Sequence, residues 1–382
     1  MKTKIFDKRI KKPFQPTWAE VDLKAIRYNF KEISRIAGRQ TAILSVVKAN
    51  AYGHGMIEVA HLLQREGADL LGVADLDEGI ILRNHGIKKP ILIFENVFPL
   101  YAKEVIDYDL TPTVCTLPLA NALNRYAKKK GRKIGIHIKI DTGMGRLGVW
   151  YEEALQFIKT IGRLPMIAIE GVYTHFPAAD SDKHFTRSQI GHFLELMEQL
   201  KKFDIVIPYR HVANSMGLVD YRMDVFNLIR PGLMLYGLYP SPTLRSKIEL
   251  KPALSVKSKI IFLKTVAKGR SISYGRTFIA KKDMNIATLP IGYNDGYFRC
   301  FSNSARVLVN GIFCPLVGRV TMDQVMVDVS RVKSAKIGIP VVLLGTQKKK
   351  TIFADDLASL ADTINYEITC SLGNRLPRVY KR

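Results

Sequence analysis

The sequence predicts an α/β fold: a (β/α)8 barrel of the TIM type followed by a mostly β C-terminal domain. Three observations carry that expectation. Apolar runs of strand length recur through the first two thirds of the chain with helix-periodic stretches between them, the texture of βα units and a parallel sheet. Polar residues fall where those runs finish, which is where a barrel gathers its chemistry. Beyond about Leu244 the helical periodicity gives way to short apolar runs punctuated by glycine.

Taken in order, residues 1–16 form a basic arm ending in Pro13 and Pro16, and Thr17–Asp22 reads as a short strand that could join the β domain rather than the barrel. An amphipathic helix is expected over Leu23–Ala37. The eight expected barrel strands are Ile43–Val47, Leu70–Ala74, Ile91–Phe94, Thr111–Cys115, Ile134–Ile140, Ile167–Tyr173, Tyr209–Val212 and Asn227–Ile229, so the barrel domain spans 17–243. Helical periodicity lies between them, as in Met56–Arg65, Pro118–Lys130, Glu152–Ile161 and Phe185–Leu200. Residues 244–382 make the β domain, with strands expected at Ser255–Val266, Ile286–Ile291, Ala305–Val309, Val325–Val329 and Pro340–Leu344, and Ala354–Ala361 as its one proper helix.

Composition narrows the class. The chain has 382 residues, 47% hydrophobic and 24% charged, as soluble globular proteins do. Its four cysteines show no CxxC spacing, which suits a reduced, cytoplasmic protein and predicts no metal site. The first ten residues carry charge without an apolar core, so no signal peptide is expected, and no run is long enough to predict a membrane span. The net charge of +24 is scattered over short runs such as Lys128–Lys130, Lys281–Lys282 and Lys348–Lys350. With no aromatic interleaving or reading element, it predicts a solvated basic surface or long-range attraction of anions rather than nucleic-acid binding.

Lys48 ends the first barrel run and opens an Ala/Asn/Gly-rich turn. Such a lysine either caps the strand and snorkels into water or loses hydration and becomes an available amine. Lys139 and Asp141–Arg146 end the fifth run, His175 the sixth, Asn214 and Ser215 follow the seventh, and Arg230-Pro-Gly232 follows the eighth. Each alone has an ordinary reading, since a histidine in an apolar strand is commonly a satisfied core residue and Arg-Pro-Gly a common turn. Together they put cations, an imidazole and a hydroxyl on one rim, which suits a ligand bearing phosphate and carboxylate. Gly232 and Leu233 add amide donors where the backbone can approach closely.

Val46-Val-Lys-Ala-Asn-Ala-Tyr-Gly-His-Gly55 resembles the cofactor-lysine signature of the alanine racemases, pyridoxal-phosphate enzymes whose barrel is followed by a β domain. The resemblance extends to Ile140–Gly148, Thr174-His175, Ala213-Asn-Ser215, Arg230–Gly237, Ser273-Tyr-Gly275, Pro290–Tyr297, Gly318–Gln324 and Asn365-Tyr-Glu367, in the family's order along nearly the whole chain. It implies that Lys48 carries pyridoxal 5'-phosphate as a Schiff base and acts as one of two bases, with Tyr274 as the other. Two bases suit a reaction that removes a proton from one face of a carbon and returns it to the other. A phenol of pKa ~10 needs cationic help, which the resemblance assigns to His175 backed by Arg230. Arg230 would face the pyridine nitrogen and, being unable to give up its proton, leave that nitrogen unprotonated. Arg146 and the Met322 amide would bind the substrate carboxylate. Lys139 matches a lysine carried by many members as a carbamate, and Asp323 a residue near the active-site mouth. Tyr52, Asn214, Ser215, Gly232, Leu233 and Tyr366 would hold the cofactor, chiefly its phosphate.

The implied function is interconversion of L- and D-alanine for peptidoglycan precursors by a homodimer, the β domain of one subunit completing the barrel site of the other. Departures from the family pattern are Thr321, Arg276, Pro177 and Asn294, and none removes a proposed catalytic atom. Tyr366, where serine-preferring relatives carry a smaller residue, favours alanine. The alternatives are a racemase of another small amino acid such as serine, a barrel-type amino-acid decarboxylase, or a non-catalytic cofactor carrier. Arg230 weighs against the decarboxylase and Tyr274 against the carrier.

Overall fold

A computed structural model describes residues 16–221 and 223–382. The basic arm of 1–16 lies, except for Pro16, outside the described residues. The chain forms two compact units, one of Ala25–Lys251 and one of Pro252–Arg382 together with the described N-terminal residues up to Lys24.

The first unit is a nearly closed barrel. Among the described residues its eight parallel strands are Ala42–Val46, Leu70–Val73, Ile91–Asn96, Thr111–Val114, Ile134–Asp141, Ile167–Tyr173, Tyr209–His211 and Leu228–Ile229, each of the first six paired with the next. Leu228–Ile229 returns to pair with Ala42–Ile43. Between the last two strands the ring is closed by the Asn227 N–H on the Arg210 carbonyl at 3.2 Å and by the Asn227 side chain, whose Oδ1 accepts the Arg210 N–H at 2.9 Å. Parallel strands covered on both sides read as unbroken apolar runs, which is why Leu44, Leu71, Leu92, Ile93, Ile136 and Val172 are all fully buried. Helices Leu23–Ala37, Met56–Glu66, Leu117–Lys130, Ala154–Gly162 and Lys183–Lys202 stand at or near their expected ranges. Leu76–Asn84, Ala102–Asp107 and Ser215–Asp220 are further helices of this unit.

In the second unit Trp18–Asp22 pairs antiparallel with Leu254–Lys259 and parallel with Arg378–Lys381, so the first strand belongs to this unit. The expected run Ser255–Val266 is two strands, Leu254–Lys259 and Phe262–Val266, which enter different sheets. Ala354–Leu360 is not the only helix of its kind, since Asn365–Cys370 forms another. A two-stranded hairpin, Ser271–Ile272 with Phe278–Ile279, carries the turn that holds Tyr274, anchored because Ile272 packs with Val266, Ala280, Met284, Ile286 and Val317.

The basic runs take exposed positions at element ends. Lys128–Lys130 closes the helix Leu117–Lys130, where its carbonyls favour cations, and the other two runs lie at turns beside strands. No helix among the described residues is long and apolar enough to cross a membrane.

Candidate active site

Strand register assembles the barrel's polar groups. Lys139, Tyr173 and His211 are partners in one row across three neighbouring strands, and His137, Gly171 and Tyr209 form a parallel row. Gly171 is a requirement of that second row. A Cβ there would stand 2.5 Å from His137 Nδ1, so only glycine lets the His137 ring lean across to His211.

Arg230, just beyond the last strand and 4% exposed, is the centre of the cluster. Its Nη1 donates to the His211 carbonyl and to His211 Nδ1, both at 2.9 Å; Nη2 donates to the Thr174 and Val212 carbonyls and lies 3.5 Å from His175 Nδ1. A guanidinium has only donors. His211 Nδ1 must therefore accept, its proton sits on Nε2, and that proton is donated to His137 Nδ1 at 2.9 Å. Burial, with Arg230 adding to it, holds all three histidines neutral: His175 and His211 lie well below the ordinary imidazole range and His137 is pushed down to about 3. Burial also lowers Arg230 to about 10, which leaves it charged at neutral pH.

Tyr173 is sandwiched. Its ring stacks on His211 at 4.7 Å, with Lys139 Nζ 4.9 Å and the Arg230 guanidinium 5.2 Å from its centroid. Its hydroxyl donates to Thr113 Oγ1 at 2.7 Å, which itself donates to the Ile93 carbonyl. Burial raises this phenol, so it stays neutral. Lys139 is pushed down to about 7 by burial and then by Arg230 and Arg146. Arg146 is exposed at the end of a loop shaped by Asp141, whose Oδ1 accepts the N–H groups of Gly143 and Gly145.

Lys48 follows the first strand, partly buried, its Nζ 5.9 Å from the centre of the Phe94 ring. Gly72 makes room for that ring, since a Cβ there would lie 2.6 Å from Phe94 Cζ. Directly after Lys48 the chain winds left-handed. Ala49, Asn50, Ala51 and Tyr52 all have φ between 52° and 54°, a conformation disfavoured for L-residues by roughly 1–2 kcal/mol each. The turn is held by Ala51 N–H on the Val47 carbonyl, Gly53 N–H on Ala49 and Gly55 N–H on Asn50. It delivers the Tyr52 hydroxyl to Gly232, where a Cβ would stand 2.6 Å away. The Gly232 N–H donates to Ser215 Oγ at 3.1 Å, Leu233 follows, and Asn214 caps the helix Ser215–Asp220 by accepting the Gly217 N–H. Tyr52, Ser215 and Gly232 thus converge on one spot.

The β unit contributes its own group. Tyr274 is 73% exposed on the hairpin turn, between Ser273 at φ 64° and Arg276 at φ 50°. Ser273 Oγ donates to the Arg319 carbonyl at 2.7 Å. Met322 is 53% exposed on a loop laid tightly over Gly292, whose Cβ would meet the Thr321 and Met322 carbonyls at 2.2 and 2.3 Å. Arg375 fixes that loop, reaching Asp323 Oδ1 at 2.6 Å and clasping both oxygens of the buried Asp295 at 2.7 and 2.8 Å. Tyr366 lies on the helix Asn365–Cys370 of the same unit.

The sequence reading did not single out His211, His137, Tyr173, Asp295 or Arg375. A signal existed for Arg375 in the Asn-Asp-Gly block that contains Asp295, because a buried carboxylate needs a partner. The histidines depend on strand register, which no local pattern carries.

Family models for the alanine racemase N-terminal domain and C-terminal domain match residues 21–240 and 253–380. An alanine racemase of Halothermothrix orenii is 46% identical over 368 residues, covering 96% of this chain and 97% of the relative. One of Carboxydothermus hydrogenoformans is 45% identical over the same length, covering 96% and 100%. Among solved structures, alanine racemase of Clostridium difficile superposes with a TM-score of 0.92 at 38% identity, covering 97% of both chains. That of Bacillus anthracis with bound L-Ala-P gives 0.91 at 37%, covering 97% and 96%. With both family models matching in order and full-length relatives at this identity, the chain belongs to the alanine racemase family.

Proposed function

We propose that the barrel mouth binds pyridoxal 5'-phosphate through Lys48 and that the chain interconverts L- and D-alanine by means of Lys48 and Tyr274. Racemisation of alanine, an isomerase activity, follows from the family. The convergence of Tyr52, Ser215 and Gly232 carries the cofactor reading: two hydroxyls and an amide meet where a side chain at 232 would have stood, a donor set suited to a phosphate. Leu233, Asn214 and Tyr366 extend that set.

When bound, the cofactor supplies an electron sink that acidifies the proton on the substrate α-carbon. The chain's residues do the rest. Lys48 Nζ and the Tyr274 phenol oxygen take and return that proton. Arg230 would offer a fixed positive charge to the ring nitrogen; because burial keeps the His175 imidazole neutral, the cationic help expected for Tyr274 comes from Arg230 behind it and not from His175 itself. Arg146 and the Met322 amide bind the substrate carboxylate, and Asp323 stands beside Met322. Lys139, with its ammonium pushed down to about 7, has free amine at neutral pH, which favours the carbamate form. A second copy of the chain provides Tyr274, Met322, Asp323 and Tyr366 to each barrel. The product is D-alanine for peptidoglycan, made in the cytoplasm.

The test is the visible spectrum of purified protein, followed by circular dichroism of L-alanine. Wild type is expected to be yellow and to erase the optical signal, whereas Tyr274→Phe stays yellow and racemises at least about a hundredfold more slowly. Lys48→Ala and Tyr274→Phe, each strongly impaired alone, should regain part of the activity when mixed and re-associated. Colourless protein that takes up no pyridoxal phosphate overturns the cofactor reading, and no recovery despite proven subunit exchange overturns the shared site.

A further inference from the structure

Glu78 is the third residue of the helix Leu76–Asn84, behind its cap Asp75, whose Oδ1 accepts the Glu78 N–H at 2.8 Å. A glutamate there ordinarily turns back to the N–H of the cap itself. This one goes elsewhere. Oε2 accepts the N–H of Ala74 at 2.9 Å and Oε1 accepts the N–H of Ala49 at 2.7 Å. Ala74 leaves the strand Leu70–Val73, and Ala49 follows Lys48 beyond the neighbouring strand Ala42–Val46. The ladder between those strands ends at the Val47 N–H on the Gly72 carbonyl, 2.8 Å. Past that rung the carboxylate bridges the two chains, and ionised acceptors of this length make stronger bonds than neutral ones.

The Ala49 N–H belongs to the same peptide plane as the Lys48 carbonyl, so holding it fixes ψ of Lys48. The plane on the other side is held by the Val47 carbonyl, which accepts the Ala51 N–H at 2.8 Å and fixes φ. Ala49 is also the first of four consecutive residues in a disfavoured left-handed conformation, so the turn needs outside support at that point.

We propose that Glu78 is a positioning residue for Lys48: its carboxylate, shared between two backbone amides, sets the direction in which the lysine leaves its strand. This rests on Lys48 being the cofactor-bearing base. No substrate or cofactor contact is assigned to Glu78. Its action is on the backbone beside the reacting amine, where a displacement of about 1 Å costs up to ~100-fold in rate.

The test compares Glu78→Gln and Glu78→Ala in the full chain by hydrogen exchange over 47–56, by kcat and KM for alanine, and by thermal unfolding. Glu78→Gln turns one acceptor into a donor facing an N–H. Exchange over 47–56 should rise about tenfold, with helix Lys183–Lys202 and the β unit unchanged. The kcat should fall about tenfold while KM moves less than about threefold, and Glu78→Ala should exceed it on both counts. Should Glu78→Ala fail to fold, the glutamine variant decides alone. Unchanged exchange over 47–56, faster exchange there with kcat unaltered, or exchange rising evenly through the barrel each overturns the proposal. A wild type that takes up no pyridoxal phosphate instead defeats the reading of Lys48, and with it the catalytic half of the proposal. The exchange data still decide whether Glu78 holds the turn.

Discussion

In the barrel, Arg230 and Lys139 are each only 4% exposed, wrapped in carbonyls, imidazoles and the Tyr173 ring. In the β unit, Tyr274 and Met322 stand 73% and 53% exposed on loops shaped by backbone conformation. The first set has its chemistry adjusted by burial: neutral histidines, a lysine near its titration point, an arginine that can only donate. The second set is presented rather than adjusted, with Gly292 and the Asp295–Arg375 clasp fixing where the loop runs. Removing a barrel residue should therefore injure stability first, while removing a support of the β unit should injure geometry first.

Arg230→Ala is the harshest test. It strands the Thr174 and Val212 carbonyls and His211 Nδ1 in a buried cavity and leaves the His211 carbonyl with the Thr174 N–H alone. A loss of about 3–5 kcal/mol is expected from urea unfolding, and a loss under ~1 kcal/mol would break the comparison. Arg375→Ala should do less, about 2 kcal/mol, because the arginine is itself partly exposed although Asp295 is not. Its larger effect should be on activity, through the loosened Met322–Asp323 loop. An unchanged kcat/KM would show that the clasp serves stability alone.

The third test changes pH and no residue. The three histidines have lowered folded pKa values, so below about 6.5 the unfolded chain takes up protons that the folded one refuses. Stability should fall with acid from pH 6.5 down toward about 3, and the range 5–6.5 isolates the histidines from the carboxylates. Lys139, folded near 7 and unfolded near ~10.4, adds a rise in stability as pH climbs through that upper window. The urea midpoint measured from pH 5 to 9 should slope upward throughout. Lys139→Met should flatten the alkaline limb and leave the acid one.

The barrel was legible because parallel strands buried on both faces write themselves as apolar runs, and the strand-end lysine, histidine and arginine stand out against them. Asn365–Cys370 escaped because six residues are too few to show a helical period, and the hairpin around Tyr274 because its strands are two residues long. Ile312–Pro315 and Arg378–Lys381 escaped as short strands, the second highly charged. Glu78 reads locally as half of a capping box, and nothing local says that its carboxylate is committed to Ala49 and Ala74 instead. The row Lys139–Tyr173–His211 exists only once three strands are in register.

The turn after Lys48 has one more implication. Ala-Asn-Ala-Tyr contains no glycine, yet all four residues wind the wrong way for their chirality. At Ala49 and Ala51 the mirror-image amino acid would sit in its own backbone minimum. A chemically assembled chain carrying D-alanine at those two places would keep the turn and shed its steric penalty. Among the described residues of the barrel, this is the one run where handedness itself, more than side-chain identity, limits which monomers the fold accepts.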